Sequence, residues 1–256
     1  MHYQSWYITG ASSGIGAAFA HAAPPRTTLL LGGRDEIALG KLAAKIGDGA
    51  VILPGDLTLA AEREKAVRRA EEAAIDLLVL NAGIGQFGSI LDMSPRREME
   101  IAQLNMIAPI ELVRGLLPGM VARAREQRRR AGLIIVSSIA AFQPMPGMAI
   151  YAASKAFLLS FGEALACELN GLPVDCLVLC PGTTQTQFFT RAGAGETMGY
   201  FVTSPEQVAR EGLRALGRRP VHIVGWGNRL LAPFMRFIPH AITLPATFRF
   251  VRKRGL

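Results

Sequence analysis

Seven short apolar runs punctuate the chain: Trp6–Ile8, Thr28–Leu31, Val51–Leu53, Leu77–Leu80, Leu133–Val136, Val174–Leu179 and His222–Val224. Runs that are apolar throughout, rather than at alternate positions, suit strands covered on both faces of a parallel sheet. Between them the pattern turns helical. Glu36–Ile46 and Leu59–Ala73 are rich in Ala, Lys, Arg and Glu, and Arg97–Ala124 and Ala149–Leu169 are longer. Pro205–Leu216 opens with Ser204 as N-cap and Pro205 at the first helical position. Strand–helix alternation with short connections predicts βαβ units, and so an α/β fold: one doubly wound parallel sheet with helices on both faces. Pro109 and Pro118 are expected to bend or interrupt the fifth helical segment. Residues 183–200 have no clear period and read as a loop of a length that often covers a site.

A chain of 256 residues, half of them hydrophobic, can bury a substantial core. No linker or solenoid repeat divides it, so residues 1–225 read as one domain with 226–256 as an apolar and basic extension. Cys167, Cys176 and Cys180 form no CxxC pair and have no His cluster beside them. Neither a metal site nor a disulfide framework is expected, and a reducing cytoplasm suits the chain. Met1 to Gln4 runs straight into an apolar strand without the marks of a signal peptide. No window reaches the run of about 18 apolar residues that a transmembrane helix needs.

The charge is uneven. After Glu211 there is no acidic residue, whereas nine basic ones follow, leaving 19 of the 28 basic residues against all 20 acidic ones in the rest of the chain. In helical register Leu230, Phe234, Phe237 and Ile238 share one stripe of this tail. Three readings stand: packing over the domain or its pocket, a basic amphipathic element on an anionic membrane surface, or a subunit contact. Pro233, Pro239 and Pro245 break up any long helix and weaken the second. No nucleic-acid motif accompanies the charge, so nucleic acid is not an expected partner.

Thr9-Gly10-Ala11-Ser12-Ser13-Gly14-Ile15-Gly16 follows the first strand and opens a helix. Gly10 permits a tight turn, Gly14 lets backbone approach a pyrophosphate, and Gly16 lets the helix pack close to the sheet. The helix start then offers N–H groups and a positive dipole end to phosphates. This points to a Rossmann-type dinucleotide site, although an ordinary strand–helix turn has the same outline. The second strand ends in Leu31-Gly32-Gly33-Arg34, with no acid for the 2′-hydroxyl of NAD. Arg34 suits the 2′-phosphate of NADP, while Asp35 stands one residue further on.

Tyr151 and Lys155 lie four apart in a helical segment and so share a face. An ammonium beside a phenol is expected to lower its pKa and fit it for proton transfer. Ser138 ends the fifth strand, where its hydroxyl would face the cofactor crevice; Ser137 is the neighbouring candidate, and strand alternation admits only one.

In chain order, TGASSGIG at 9–16, Asp56-Leu57, Asn81-Ala82-Gly83, Asn105, Ser138, Tyr151-Ala152-Ala153-Ser154-Lys155 and Pro181-Gly182 with Thr186 closely resemble the short-chain dehydrogenase/reductase family over residues 4 to about 190. The resemblance implies an NADP(H)-dependent oxidoreductase, with NAD(H) possible, moving a hydride between nicotinamide and a ketone, aldehyde or secondary alcohol. It implies Tyr151 as general acid/base, Lys155 as its tuner and ribose ligand, Ser138 orienting the carbonyl, and Asn105 holding a proton-relay water. Asp56 and Leu57 would frame the adenine. Asn81, Ala82 and Gly83 would hold the sheet edge beside the ribose, and Pro181, Gly182 and Thr186 would line the nicotinamide. Where the family carries an aliphatic residue this chain has Thr184, which leaves the loop after Gly182 open. The two long helices would form a homo-oligomer face.

Phe188, Phe189, Met198, Tyr200 and Phe201, with Met145 and Met148, point to an apolar small-molecule substrate, although loop apolars can also form a small core of their own. The competing reading is a non-catalytic nucleotide-binding regulator of the same fold. The complete Asn105–Ser138–Tyr151–Lys155 set argues against it. The expected location is cytoplasmic, with membrane association if the tail docks.

Overall fold

The structure, a computed structural model, describes residues 3–193, 201–235 and 238–252. Seven parallel strands form one sheet: β1 (Ser5–Ile8), β2 (Thr28–Gly33), β3 (Ala50–Pro54), β4 (Leu77–Leu80), β5 (Ala131–Val136), β6 (Val174–Cys180) and β7 (Val221–Ile223). Their spatial order is β3-β2-β1-β4-β5-β6-β7, so the winding reverses between β1 and β4. Trp6 pairs with Leu29 on one side and Leu77 on the other. Every residue of β4 and β5 is buried, as uninterrupted apolar runs require.

The helices are α1 (Gly14–His21), α2 (Glu36–Ile46), α3 (Ala60–Glu72), α4 (Pro95–Ala102), α5 (Ala108–Glu126), α6 (Ala149–Glu168), the single turn α7 (Phe188–Arg191), α8 (Pro205–Ala215), α9 (Trp226–Met235) and α10 (His240–Arg252). Strand side chains alternate between two cores. Tyr7, Leu30, Leu78, Leu133 and Ile135 meet α3, α5 and α6 through Ala66, Leu112, Leu116 and Leu158. Trp6, Ile8, Leu29, Leu31, Val79 and Ile134 meet α1, α2 and α8 through Phe19, Leu39 and Val208. The doubly wound sheet is as expected from the sequence. So is the start of α8, where the Ser204 hydroxyl accepts a hydrogen bond from the Gln207 N–H at 3.1 Å.

The fifth helical segment differs. It begins at Pro95 and runs on to Glu126, but a π-helical turn over Gln103–Ile107 separates α4 from α5. The Ala108 N–H reaches back to the Gln103 carbonyl, five residues away. Pro109 has no N–H for the Asn105 carbonyl four residues back, so the regular ladder cannot continue there and the extra residue is absorbed as a π turn. Pro118 lies inside α5 without ending it. Two helices, Pro95–Glu126 and Ala149–Glu168, are long and apolar enough to cross a membrane by length and composition, contrary to the expectation that no window is. Both carry core side chains of this fold: Leu112 and Leu116 on the first, Leu158 and Leu165 on the second.

Of the prolines expected to break the tail, Pro245 lies inside α10 and Pro233 lies within the span of α9. Only Pro239 lies between the two helices.

Candidate active site

The reversal point of the sheet opens onto a cavity of about 740 Å³ at the carboxyl ends of the strands, where open α/β sheets bind ligands. Gly10, Ser12, Ser13, Gly14 and Ile15 form part of its wall. Gly10 and Gly14 adopt the left-handed backbone, with φ of +68° and +57°. A Cβ on Gly16 would run into the carbonyl of Gly10 and the amide of Asn81, so only glycine lets α1 approach the turn this closely. Ser13 precedes α1 without a side-chain cap bond, which leaves the first N–H groups of the helix available to an anion.

The turn is clamped to the end of β4. The Thr9 hydroxyl accepts from the N–H groups of Asn81 and Ala82 at 2.9 and 3.0 Å. Asn81 Nδ2 donates back to the carbonyls of Thr9 and Gly10 at 3.0 and 3.2 Å. Thr9 is a positioning residue that the sequence reading left out, because its partners lie some seventy residues away. Thr186 stands over Gly14, its methyl 3.0 Å from where a Cβ there would sit.

At the far end of the turn, Arg34, Asp56 and Leu57 line the cavity. Arg34 Nη1 lies 3.8 Å from Asp56 Oδ2, a loose and half-exposed pair. Asp35 also lines the cavity, and its carboxylate caps α2, accepting from the Ala38 N–H at 2.9 Å.

Ser138, Tyr151 and Lys155 converge where β5 ends and α6 begins. Ser138 and Tyr151 both line the cavity, and the Ser138 hydroxyl acts to lower the pKa of the phenol. Ser138 Oγ also accepts from the Ala140 N–H at 3.1 Å, which fixes the hydroxyl as the cap of a short 3-10 turn, Ile139–Phe142. Ser137 points the other way. It is buried and donates to the Lys155 carbonyl at 2.7 Å, so Ser138 alone of the pair meets the phenol. Lys155 is buried; its Nζ donates to the Val136 carbonyl at 3.0 Å and lies 5.7 Å from the Tyr151 ring centre.

The electrostatics correct one expectation. The Tyr151 phenol is not lowered but pushed up to about 12 by burial, with the Ser138 hydrogen bond opposing. Lys155 is pushed down to about 8, again by burial. Burial is the first cause of both shifts, and the ammonium donates to the Val136 carbonyl. At neutral pH the phenol carries its proton and the ammonium its charge.

Asn105 sits in the π turn with no exposed surface. Its Oδ1 accepts from the Ile84 N–H at 3.0 Å, and Nδ2 donates to the Ile84 carbonyl and to Ser154 Oγ, both at 2.9 Å. Ser154 Oγ passes its own hydrogen to the Tyr151 carbonyl at 2.7 Å. The amide is thus engaged by the protein at both its oxygen and its nitrogen. Ser154, like Thr9, is a linking residue the sequence reading did not single out. Gly83 lies against both Lys155 Nζ and Asn105 Oδ1.

The cavity wall continues through Phe142, Met145, Met148 and Phe188, whose ring centre is 5.1 Å from that of Tyr151. Met198, Tyr200 and the side chain of Phe189 lie outside the described residues. Pro181 and Gly182 follow β6 into the wall, and Thr184 fixes the loop beyond them by donating to the Gly182 carbonyl at 3.1 Å and bridging to Thr203. Asn228, Leu231 and Ala232 of α9 also line the cavity; Asn228 is buried against Gly182 and donates to the Val224 carbonyl at 3.1 Å. Of the tail stripe, the two residues whose side chains are described on α9 are not packed over the domain. Leu230 and Phe234 are 62% and 66% exposed. The packing side of α9 is the one that carries buried Asn228 and Ala232. Phe237 lies outside the described residues.

The residues fit a dinucleotide: a glycine cradle with uncapped helix N–H groups, a cation at its far end and a phenol–hydroxyl pair at the other. The profile of the short chain dehydrogenase family matches residues 4–197. Dehydrogenase/reductase SDR family member 7B from Bos taurus is 31% identical, covering 85% of this chain and 71% of its own. The CLA biosynthesis dehydrogenase/reductase of Lactiplantibacillus plantarum is 35% identical, covering 72% of this chain and 65% of its own. Among solved structures, a short-chain dehydrogenase from Sphingobium yanoikuyae in complex with NADPH superposes with a TM-score of 0.78 at 29% identity, covering 86% of each chain. A non-catalytic regulator is not favoured by these relatives. With the fold, the glycine turn and the Tyr151–Lys155 helix in agreement, the chain belongs to the short-chain dehydrogenase/reductase family and is an NAD(P)-dependent oxidoreductase.

Proposed function

We propose that the enzyme transfers hydride between NADP(H), in preference to NAD(H), and the carbonyl or alcohol carbon of a largely apolar substrate. The observation that carries this reading is the convergence of Ser138, Tyr151 and buried Lys155 in the wall of one cavity that continues through Phe142, Met145, Met148 and Phe188. A bound nicotinamide supplies the hydride for reduction or accepts it for oxidation.

The chain's own residues handle the proton and the geometry. Ser138 and Tyr151 together donate to the substrate oxygen and stabilise the negative charge that develops on it. Tyr151 carries its proton at neutral pH and so is placed to donate it in carbonyl reduction. Lys155 holds positive charge behind the phenol and, through Gly83 and Asn105, lies at the start of a route by which the proton is replaced. Gly10, Ser12, Ser13, Gly14, Ile15 and Gly16 hold the pyrophosphate. Arg34 meets the 2′-phosphate, its case supported by Asp35 being engaged at the α2 cap. Asp56 and Leu57 flank the adenine, Asn81, Ala82 and Gly83 the ribose, and Pro181, Gly182 and Thr186 the nicotinamide. A cytoplasmic enzyme assembling through α5 and α6 completes the reading.

Tyr151→Phe tests it. The variant is expected to lose NADPH-dependent ketone reduction by about 100-fold or more while NADPH binding, followed by cofactor fluorescence, is kept. Undiminished turnover would remove Tyr151 from its role.

A further inference from the structure

One carboxylate outside the cavity holds together the elements that bring α9 to its wall. Glu211 lies on α8 and is largely buried. Its Oε1 accepts from Gln207 Nε2, one turn back on the same helix, at 2.9 Å. Its Oε2 meets His222 Nε2 of β7 at 2.8 Å, the Gly225 N–H at 3.4 Å and Arg229 Nη2 of α9 at 3.1 Å. A carboxylate can only accept, so the imidazole turns an N–H towards it, and its lone-pair sites are then all in use. Burial pushes the Glu211 pKa up, but the hydrogen bonds from Gln207, His222 and Gly225 more than offset this and hold it below the ordinary carboxylate value. The group is therefore charged at neutral pH. Beyond Glu211 the chain has no acidic residue, so β7 and α9 bring no carboxylate of their own to answer His222 and Arg229.

What hangs from this carboxylate is cavity wall. Gly225 turns the chain from β7 into α9 with a left-handed backbone, φ +82°. Three residues on, buried Asn228 lies so close to Gly182 that a Cβ there would strike its amide. Arg229, the next residue, ties the first turn of α9 to Glu211 and, through Nε, to the Ile223 carbonyl at 3.3 Å. Ala232 shares the face of Asn228 and packs with Phe142, Val178, Cys180 and Ile223. Asn228, Leu231 and Ala232 line the cavity that Ser138 and Tyr151 also line, whereas Glu211 stands outside it.

We propose that Glu211 is a positioning residue: it fixes the first turn of α9, and with it the wall that Leu231 and Ala232 offer the substrate, so that it selects among ketones without touching them. This role rests on the catalytic reading above and adds to it a determinant of substrate length. A brace that served stability alone would lower the unfolding midpoint and leave the choice among ketones unchanged.

Glu211→Gln keeps the shape of the side chain, removes its charge and turns one of its two ends into a donor among donors. Arg229→Gln removes one partner from a half-exposed site and disturbs the fold less. Hydrogen exchange of both variants is compared with kcat and KM for butan-2-one and decan-2-one under saturating NADPH. In Glu211→Gln the amides of residues 225–232 are expected to exchange about tenfold faster or more, while those of β1 to β5 keep the wild-type rate. KM for decan-2-one is expected to rise by about tenfold or more, with kcat for both ketones and KM for butan-2-one within about twofold of wild type. Arg229→Gln is expected to show the same split at smaller amplitude, and it decides the matter if Glu211→Gln does not fold. The proposal is overturned if residues 225–232 exchange at the wild-type rate, or if KM for the two ketones moves together or not at all. A wild type that reduces neither ketone counts against the catalytic reading instead; faster exchange of 225–232 then upholds the anchoring and unchanged exchange overturns it.

Discussion

Lys155 is a buried cation whose only hydrogen bond described is to the Val136 carbonyl, and its discomfort has a measurable pH signature. Its pKa falls from 10.5 to about 8 on folding. Below about pH 8 both folded and unfolded chains hold the proton, and the cost of burying the charge is present in full. Between about 8 and 10.5 the folded chain has released the proton and the unfolded chain has not, so the unfolded state binds the extra proton and stability rises with pH. At roughly 1.4 kcal/mol per unit the whole shift is worth about 3 kcal/mol, of which about 2 is gained between pH 7 and pH 9.5. Lys155→Met keeps the length of the side chain and removes the titration. It also leaves the Val136 carbonyl without a donor, at about 1–3 kcal/mol that does not vary with pH. Urea unfolding of both proteins without cofactor, at steps across that range, gives the difference directly. Relative to the variant, the wild type is expected to gain about 2 kcal/mol from pH 7 to pH 9.5. The upward-shifted Tyr151 and Cys180 titrate in the opposite sense, but they are common to both proteins and cancel to first order. A difference that stays flat across the range would refute the claim that this ammonium is held against its solvation.

Two further outcomes follow from the cofactor cradle. Gly16→Ala would push a methyl group into the Gly10 carbonyl and the Asn81 amide, and it is expected to weaken NADPH binding by about tenfold or more and to lower the unfolding midpoint, both read by fluorescence. Arg34→Ala is expected to lower kcat/KM with NADPH by about tenfold or more while leaving NADH little changed; an equal loss with both cofactors would take Arg34 away from the 2′-phosphate.

Much of the fold is legible in the chain because two-sided burial writes itself as uninterrupted apolar runs: Leu77–Leu80 is a strand at those limits, and Glu36–Ile46 is a helix at those limits. The glycine turn and the Tyr151–Lys155 spacing are local signals of the same kind. What escaped depends on residues far apart in sequence. Thr9 matters through Asn81 and Ala82, Ser154 through Asn105, and Asn228 through Gly182. The upward shift of Tyr151 follows from its burial, which the elements packed around it set. In the tail, the stripe follows from its period, but which side of α9 meets the protein is set by the burial of Asn228 and Ala232 where the helix lines the cavity, which no period records.

The π turn at Gln103–Ile107 acts as a phase adjuster. A residue advances a helix by about 100°, so the extra residue resets the angular register between the two halves of one long rod. The half before it seats Ile101 inward, the half after it seats Leu112 and Leu116, and the offset between them turns Asn105 to Ile84 and Ser154. An uninterrupted helix with the same side chains could satisfy one contact surface or the other. The irregularity is therefore the joint that lets a structural rod carry an active-site residue without surrendering its grip on the core at either end.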